Sequence, residues 1–253
     1  MDINKERPNN FIGFFTIVGL VLLWQLLINF KIMDPLFTGI PTAIFKETII
    51  MLKSREFYGY FALSLQSFLL AFSLAIVFGL LAGLLLGVNK KLYANYYPYL
   101  FAINAIPMIA LLPLIIVWFG VGLTAKTAVI FLFSVVPIMA NTADSAKLID
   151  DSLIKMAGSF KGRKLFILKS IILPGALPYI LSGVRVASSR AVIGLLIAEY
   201  NGLGKGIGYL LSFYGATFSI NKLMALVLII VCLNLLFIKL LSLVEKRIVF
   251  WKT

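Results

Sequence analysis

Six apolar stretches of about 20 residues recur along this chain, and they restrict its fold more than any other feature. They are Phe11–Phe30, Phe61–Gly87, Tyr99–Phe119, Ala125–Ala143, Ala176–Ala198 and Leu223–Val244. A soluble domain of 253 residues buries a sizeable core without runs of this length. As helices, each reaches across a hydrocarbon layer of roughly 30 Å. Helices are also the required form, because lipid offers no partner to backbone N–H and C=O groups. The expected fold is an all-α membrane protein with six transmembrane helices in a lipid bilayer. A hydrophobic share of 61% exceeds that of a soluble domain and agrees.

Lys5 and Arg7 precede the first stretch, as in a signal peptide. The stretch is too long for a typical signal core and has no small-x-small site before Lys31, so a retained first helix is expected.

A net charge of +13 raises the question of nucleic acid. The basic residues sit mostly between the apolar stretches, which is the arrangement that sets topology, so no nucleic-acid partner is expected. With a cytoplasmic N-terminus and six crossings, the inside segments hold Lys5, Arg7, Lys90, Lys91, Lys147, Lys155, Lys161, Arg163, Lys164, Lys169, Lys246, Arg247 and Lys252. The outside segments hold Lys31, Lys46, Lys53, Arg55, Lys126, Lys205 and Lys222. Thirteen against seven places both termini in the cytoplasm. The outside loop from Lys31 to Tyr60 contains Ala43–Leu52, whose pattern suggests a short interfacial helix.

The chain has no histidine and one cysteine, Cys232, which lies inside the last apolar stretch. Histidine–metal sites, histidine acid–base chemistry and an intrachain disulfide are thereby excluded. No segment reads GxxxxGK[ST]; GSFKGRK at Gly158 and GLGKGIG at Gly202 lack the spacing. Nucleotide binding by that device is not expected, nor a metal or other cofactor, and the chain is not expected to be an enzyme.

In the second stretch Ala71, Ala75, Gly79, Gly83 and Gly87 recur every fourth residue, a face on which another helix can approach closely. Pro107, Pro113, Pro137, Pro174 and Pro178 fall within or beside stretches three to five, where they bend or interrupt helices.

The connection from about Asp144 to Leu173 spends some thirty residues where roughly six would serve. Asp150 or Asp151 is placed to cap a helix starting near Ser152, with Leu153, Met156 and Phe160 on one face. Gly158, Ser159 and Gly162 permit a turn, and Leu165, Phe166, Leu168 and Ile172 form a second apolar series. Two short amphipathic helices across the cytoplasmic face are expected, either packed beneath the bundle or meeting a partner.

This loop resembles that of the permease subunits of binding-protein-dependent, ATP-binding-cassette importers. Their loop has the form Glu-Ala-Ala, three residues, Gly, nine residues, Ile-x-Leu-Pro. Here the register falls on Lys155-Met156-Ala157, Lys161, Ile171, Leu173 and Pro174. Ala157, Ile171, Leu173 and Pro174 match; Lys155, Met156 and Lys161 depart, and Gly162 stands one place beyond the expected glycine. Ile106–Gly122, Leu173–Ala187 and Ala198–Leu211 are similar to the nitrate, sulfonate and taurine branch, which includes thiamine-precursor and riboflavin permeases.

The resemblance implies a type I importer transmembrane domain over 61–250, preceded by a helix and an external segment over 1–60. It implies two copies of a cytoplasmic ATPase, a second permease copy making a homodimer or a similar permease in its place, and an extracytoplasmic solute-binding protein. The implied ATPase contact comprises Ser152, Lys155, Met156, Ala157, Gly158, Ser159, Phe160, Lys161 and Gly162. The cargo would be a small sulfonate- or nitrate-like anion or a vitamin precursor, carried across the cytoplasmic (inner) membrane.

Arg185 and Arg190 lie well within the fifth stretch, and Glu199 stands at its outer end. Ionisable groups inside a membrane mark a pathway or a buried pairing. Arg190 is expected either to face the translocation path or to contact a partner subunit or a helix end. A self-contained secondary transporter is the competing class, but the two halves show no internal repeat.

Overall fold

A computed structural model of the chain describes residues 10–160 and 162–250, with side chains from residue 13 onward. Among the described residues the structure is helical without strands. Helix α1 (Asn10–Asn29) leads through two short helices, α2 (Pro35–Thr38) and α3 (Pro41–Lys53), into α4 (Arg55–Val88). One residue later α5 begins (Lys90–Ala105), followed by α6 (Leu112–Phe119) and α7 (Leu123–Lys147). The long connection forms α8 (Asp151–Ser159) and α9 (Lys164–Ile167) before α10 (Leu173–Tyr200). A short α11 (Ile207–Ala216) precedes α12 (Ile220–Ile248).

Five helical stretches are long and apolar enough to cross a membrane, or six when the bent pair α5–α6 counts as one. The expected spans fall on α4, α7, α10 and α12, while the stretch Tyr99–Phe119 is no single helix. It bends by 81° between α5 and the segment that begins at Met108. Ile106 precedes Pro107 and is driven into the extended region (φ −67°, ψ 126°), which ends α5.

The stretch Pro35–Lys53 also satisfies length and hydropathy, yet it is divided at Gly39 (φ 71°). The Ile40 amide donates to Asn221 Oδ1 at the start of α12 (2.9 Å), and α3 ends one residue before α4. Ile44 and Met51 join Phe57, Ile207, Ala225 and Leu226 in one apolar cluster. Both ends of α3 therefore meet the same end of the bundle, and it lies across that end.

Helices α4, α7 and α10 form the centre. Ala71, Ala75, Gly79, Gly83 and Gly87 are all buried along one side of α4. A Cβ on Gly83 would stand 2.6 Å from the Met139 carbonyl, and one on Gly87 2.5 Å from that of Ala143. The small face thus lets α4 lie backbone to backbone against α7. The matched positions advance together, so α4 and α7 run parallel; Gly183 against Asn141 and Gly194 against Phe133 make α10 antiparallel to α7. A π turn over Leu168–Ile172 introduces α10 just before Pro174, whose ring would collide with the Ser170 carbonyl in a regular helix.

Candidate functional site

The two ends of the bundle carry the polar groups. At one end α10 finishes with Glu199, whose side chain is fully buried. Its carboxylate accepts from Lys126 Nζ on α7 (3.1 Å), the Gly208 amide on α11 (2.9 Å) and Ser64 Oγ on α4 (2.8 Å). Ser64 Oγ in turn accepts from the Ile207 amide (2.8 Å), and Lys126 Nζ also donates to the Lys205 carbonyl (3.1 Å). A buried pair offsets its desolvation only when further hydrogen bonds support it, and here the carboxylate meets three donors and the ammonium two acceptors. Gly206 permits this closure, because a Cβ there would collide with the Glu199 carboxylate. Four helices are tied together, and α11 is held over the end of the bundle. Lys126, counted from sequence among the outside segments, is a buried ion-pair partner.

At the opposite end the long connection begins under α5. Asp144 accepts from the Tyr93 hydroxyl (2.7 Å) and from that of Tyr97, while Lys147 Nζ sits 4.0 Å from the centre of the Tyr93 ring. Lys90, at the start of α5, pairs with Asp151 at the start of α8. The Asp150 side chain accepts from the Ser152 amide (2.8 Å) and caps α8. That hydrogen bond holds the Asp150 carboxyl below the usual carboxylate range.

Ser152, Lys155, Met156, Ala157, Gly158 and Ser159 lie on α8, and Phe160 ends it. The helix expected to start near Ser152 runs Asp151–Ser159 with Phe160 as its C-cap, so of the three residues that permit a turn Gly158 and Ser159 lie in the helix and Gly162 lies beyond it. The Gly162 amide returns to the Ala157 carbonyl (3.0 Å), where a Cβ would approach the same oxygen to 2.7 Å. The close approach that excludes a side chain thus falls on Gly162, while Lys161 lies outside the described residues. Ile154 and Ala157 are half-buried, whereas Leu153, Met156 and Phe160 are exposed, Phe160 by 83%. Leu165 and Phe166 beyond the turn are exposed too. This end therefore presents an apolar ridge that the described residues do not cover.

The three residues expected along a pathway are not brought together. Glu199 is enclosed as described, and Arg185 pairs with Glu245 on α12. Arg190 is exposed midway along α10. The sequence reading missed Lys126, Ser64 and the Tyr93–Tyr97–Asp144 cluster. Its one available signal was a lysine close to the edge of an apolar stretch.

A helical bundle with long apolar helices, a bent candidate span and an amphipathic connection at one end has the form of a multi-pass membrane protein. The chain belongs to the family of binding-protein-dependent transport system inner membrane components, whose family model matches residues 75–250. It is 25% identical to the taurine transport system permease protein of Escherichia coli (strain K12), over 93% of this chain and 88% of that protein. It is 31% identical to the formylaminopyrimidine transport permease protein of Halalkalibacterium halodurans, over 75% of each. A chain of the MetNI methionine ABC transporter, solved in inward-facing conformations, shares the fold. Its TM-score is 0.62 at 23% identity, with 75% of this chain and 93% of that chain covered.

Proposed function

We propose that this chain is the permease subunit of an ATP-driven, binding-protein-dependent importer of the cytoplasmic membrane. Two copies form the translocation unit, each receives a cytoplasmic ATPase, and a solute-binding protein delivers cargo from outside. The cargo is a small sulfonate- or nitrate-like anion or a vitamin precursor. The α8 end lies in the cytoplasm with both termini, and the Glu199 end faces the solute-binding protein.

The observation that carries this reading is the uncovered ridge of Leu153, Met156 and Phe160 on a capped, anchored helix. Exposed apolar side chains clustered on an ordered element mark an interaction surface. Lys90, Lys91, Lys147, Lys155, Arg163, Lys164 and Lys169 gather at the same end, which supports its cytoplasmic placement. Asp151 and Asp144 fasten this helix and its approach to α5, so a push on α8 is passed to the bent span.

Gly158 supplies a clean test, because a Cβ there meets nothing within 4 Å and the isolated chain tolerates a side chain. Gly158→Glu should fold normally yet lose co-purification with the ATPase. Retained ATPase binding with unchanged hydrolysis would remove α8 as the contact.

A further inference from the structure

Arg190 lies ten residues before the end of α10, about 15 Å along the helix axis from that end. With the end of α10 set at the edge of the hydrocarbon layer, half of a layer of roughly 30 Å is the same depth. Gly183, Ala187, Ala191 and Gly194 are buried on the side of α10 that meets α7. Ser182, Val186, Arg190 and Ile193 recur at helical spacing on an exposed side. The guanidinium therefore belongs to a face that its own bundle leaves open.

Nothing in the described chain neutralises it. Beyond the first turns of α4, α7, α10 and α12 the described carboxylates are Asp144, Glu199 and Glu245, and Glu47 lies on α3 across the end of the bundle. Asp144 accepts from two tyrosines, Glu199 pairs with Lys126, and Glu245 pairs with Arg185. A second copy brings the same three groups, already engaged in the same way. Lys239, also exposed, stands two turns from the basic last turn of α12, where a flexible lysine stem reaches the interface. Arg190 is too deep for that escape. A lipid-facing arginine at mid-depth is strongly disfavoured, so its face borders a water-filled space.

We propose that Arg190 is an anion-binding residue of the translocation path, so that the cargo carries a negatively charged group such as a sulfonate or carboxylate. This rests on the transport reading above and narrows its cargo to anions, excluding neutral vitamin precursors. Guanidinium is suited to the task because its planar fork donates two parallel hydrogen bonds to an oxyanion and stays charged at any physiological pH. Where two copies of α10 line one cavity, two guanidinium groups add their potentials. Arg185 and Lys126, being paired within the chain, add little.

The test requires no knowledge of the cargo. Cys232, the single native cysteine, is replaced by serine, and Val186→Cys places a thiol one turn from Arg190 on the same face. The full complex with its ATPase and solute-binding protein is reconstituted in lipid nanodiscs. It is then treated with sulfonatoethyl or trimethylammonium-ethyl methanethiosulfonate, with rates normalised to a free thiol in solution. The anionic reagent should react about tenfold faster than the cationic one, and Arg190→Gln should abolish the preference while Arg190→Lys keeps it in part. A thiol silent to both reagents, equal rates, or a preference that survives Arg190→Gln would overturn the anion site. Co-purified ATPase and its hydrolysis rate, read from the same samples, report separately on the importer reading. An anion preference without a bound ATPase defeats that reading and leaves the site; a bound ATPase without the preference does the reverse.

Discussion

The two ends of the bundle treat their polar and apolar groups in opposite ways. At the Glu199 end a lysine, a glutamate, a serine and two backbone amides satisfy one another inside the bundle, and α11 closes over them. At the α8 end the Lys90–Asp151 pair, Asp144 with its two tyrosines and the Asp150 cap anchor the connection, and Leu153, Met156 and Phe160 are left exposed. One end is complete within the chain. On the function proposed above the other is half an interface, held by its cap and the Lys90–Asp151 pair so that a partner spends less binding energy on fixing it.

That contrast breaks most readily at the buried pair. Glu199→Ala or Lys126→Met leaves an uncompensated charge among four helices and should cost about 3–5 kcal/mol of stability. Thermal unfolding in detergent should show the loss, and Lys126→Met with Glu199→Gln together should recover most of it. Additive losses in the double variant would mean that the two residues act independently. Next in size, Gly83→Val forces the α4 and α7 backbones apart and should cost about 1–3 kcal/mol. The same Cβ at Gly158 should cost nothing measurable, because the space there is open.

At the α8 end the expected pattern reverses. Phe160→Ala should leave the melting temperature unchanged and weaken ATPase binding by about 2 kcal/mol, or some thirtyfold, as for an interface anchor. A drop in stability with unaltered binding would place Phe160 in the fold instead. The smallest effect concerns the cap. The Asp150 carboxyl titrates below its unfolded value, so its contribution to α8 is present above the unfolded pKa and is lost as pH falls through the folded one. Amide protection factors across Asp151–Ser159, taken relative to the intrinsic rate at each pH, should therefore fall in acid, and Asp150→Asn, which keeps the acceptor, should flatten that dependence.

Much of this was legible from local pattern. Apolar length located four long helices, the four-residue spacing of small residues located the α4 face, and Asp150 with Leu153, Met156 and Phe160 located α8. Each is a property of neighbouring residues. The buried pair is not: Lys126 and Glu199 are 73 positions apart, and each taken alone resembles a charge at a membrane edge. Counting basic residues by loop asks only on which side each lies and so hid the partner. The bend at Ile106–Pro107 was half visible, since proline marked a break while the apolar run on both sides concealed its 81° size. The glycine at the end of α8 was displaced by one, because carbonyl proximity at Gly162 decides where a side chain is excluded.

The most direct test joins the two ends in one cross-linking experiment. In a Cys232→Ser background, Phe160→Cys and Tyr209→Cys each carry a photoactivatable maleimide, and the permease is co-expressed with its ATPase and solute-binding protein. Phe160 stands on the α8 end and Tyr209 on α11 at the other. The account predicts a covalent adduct with the ATPase from position 160 and none from position 209. An ATPase adduct from position 209, or none from 160 while the ATPase remains bound, would contradict it.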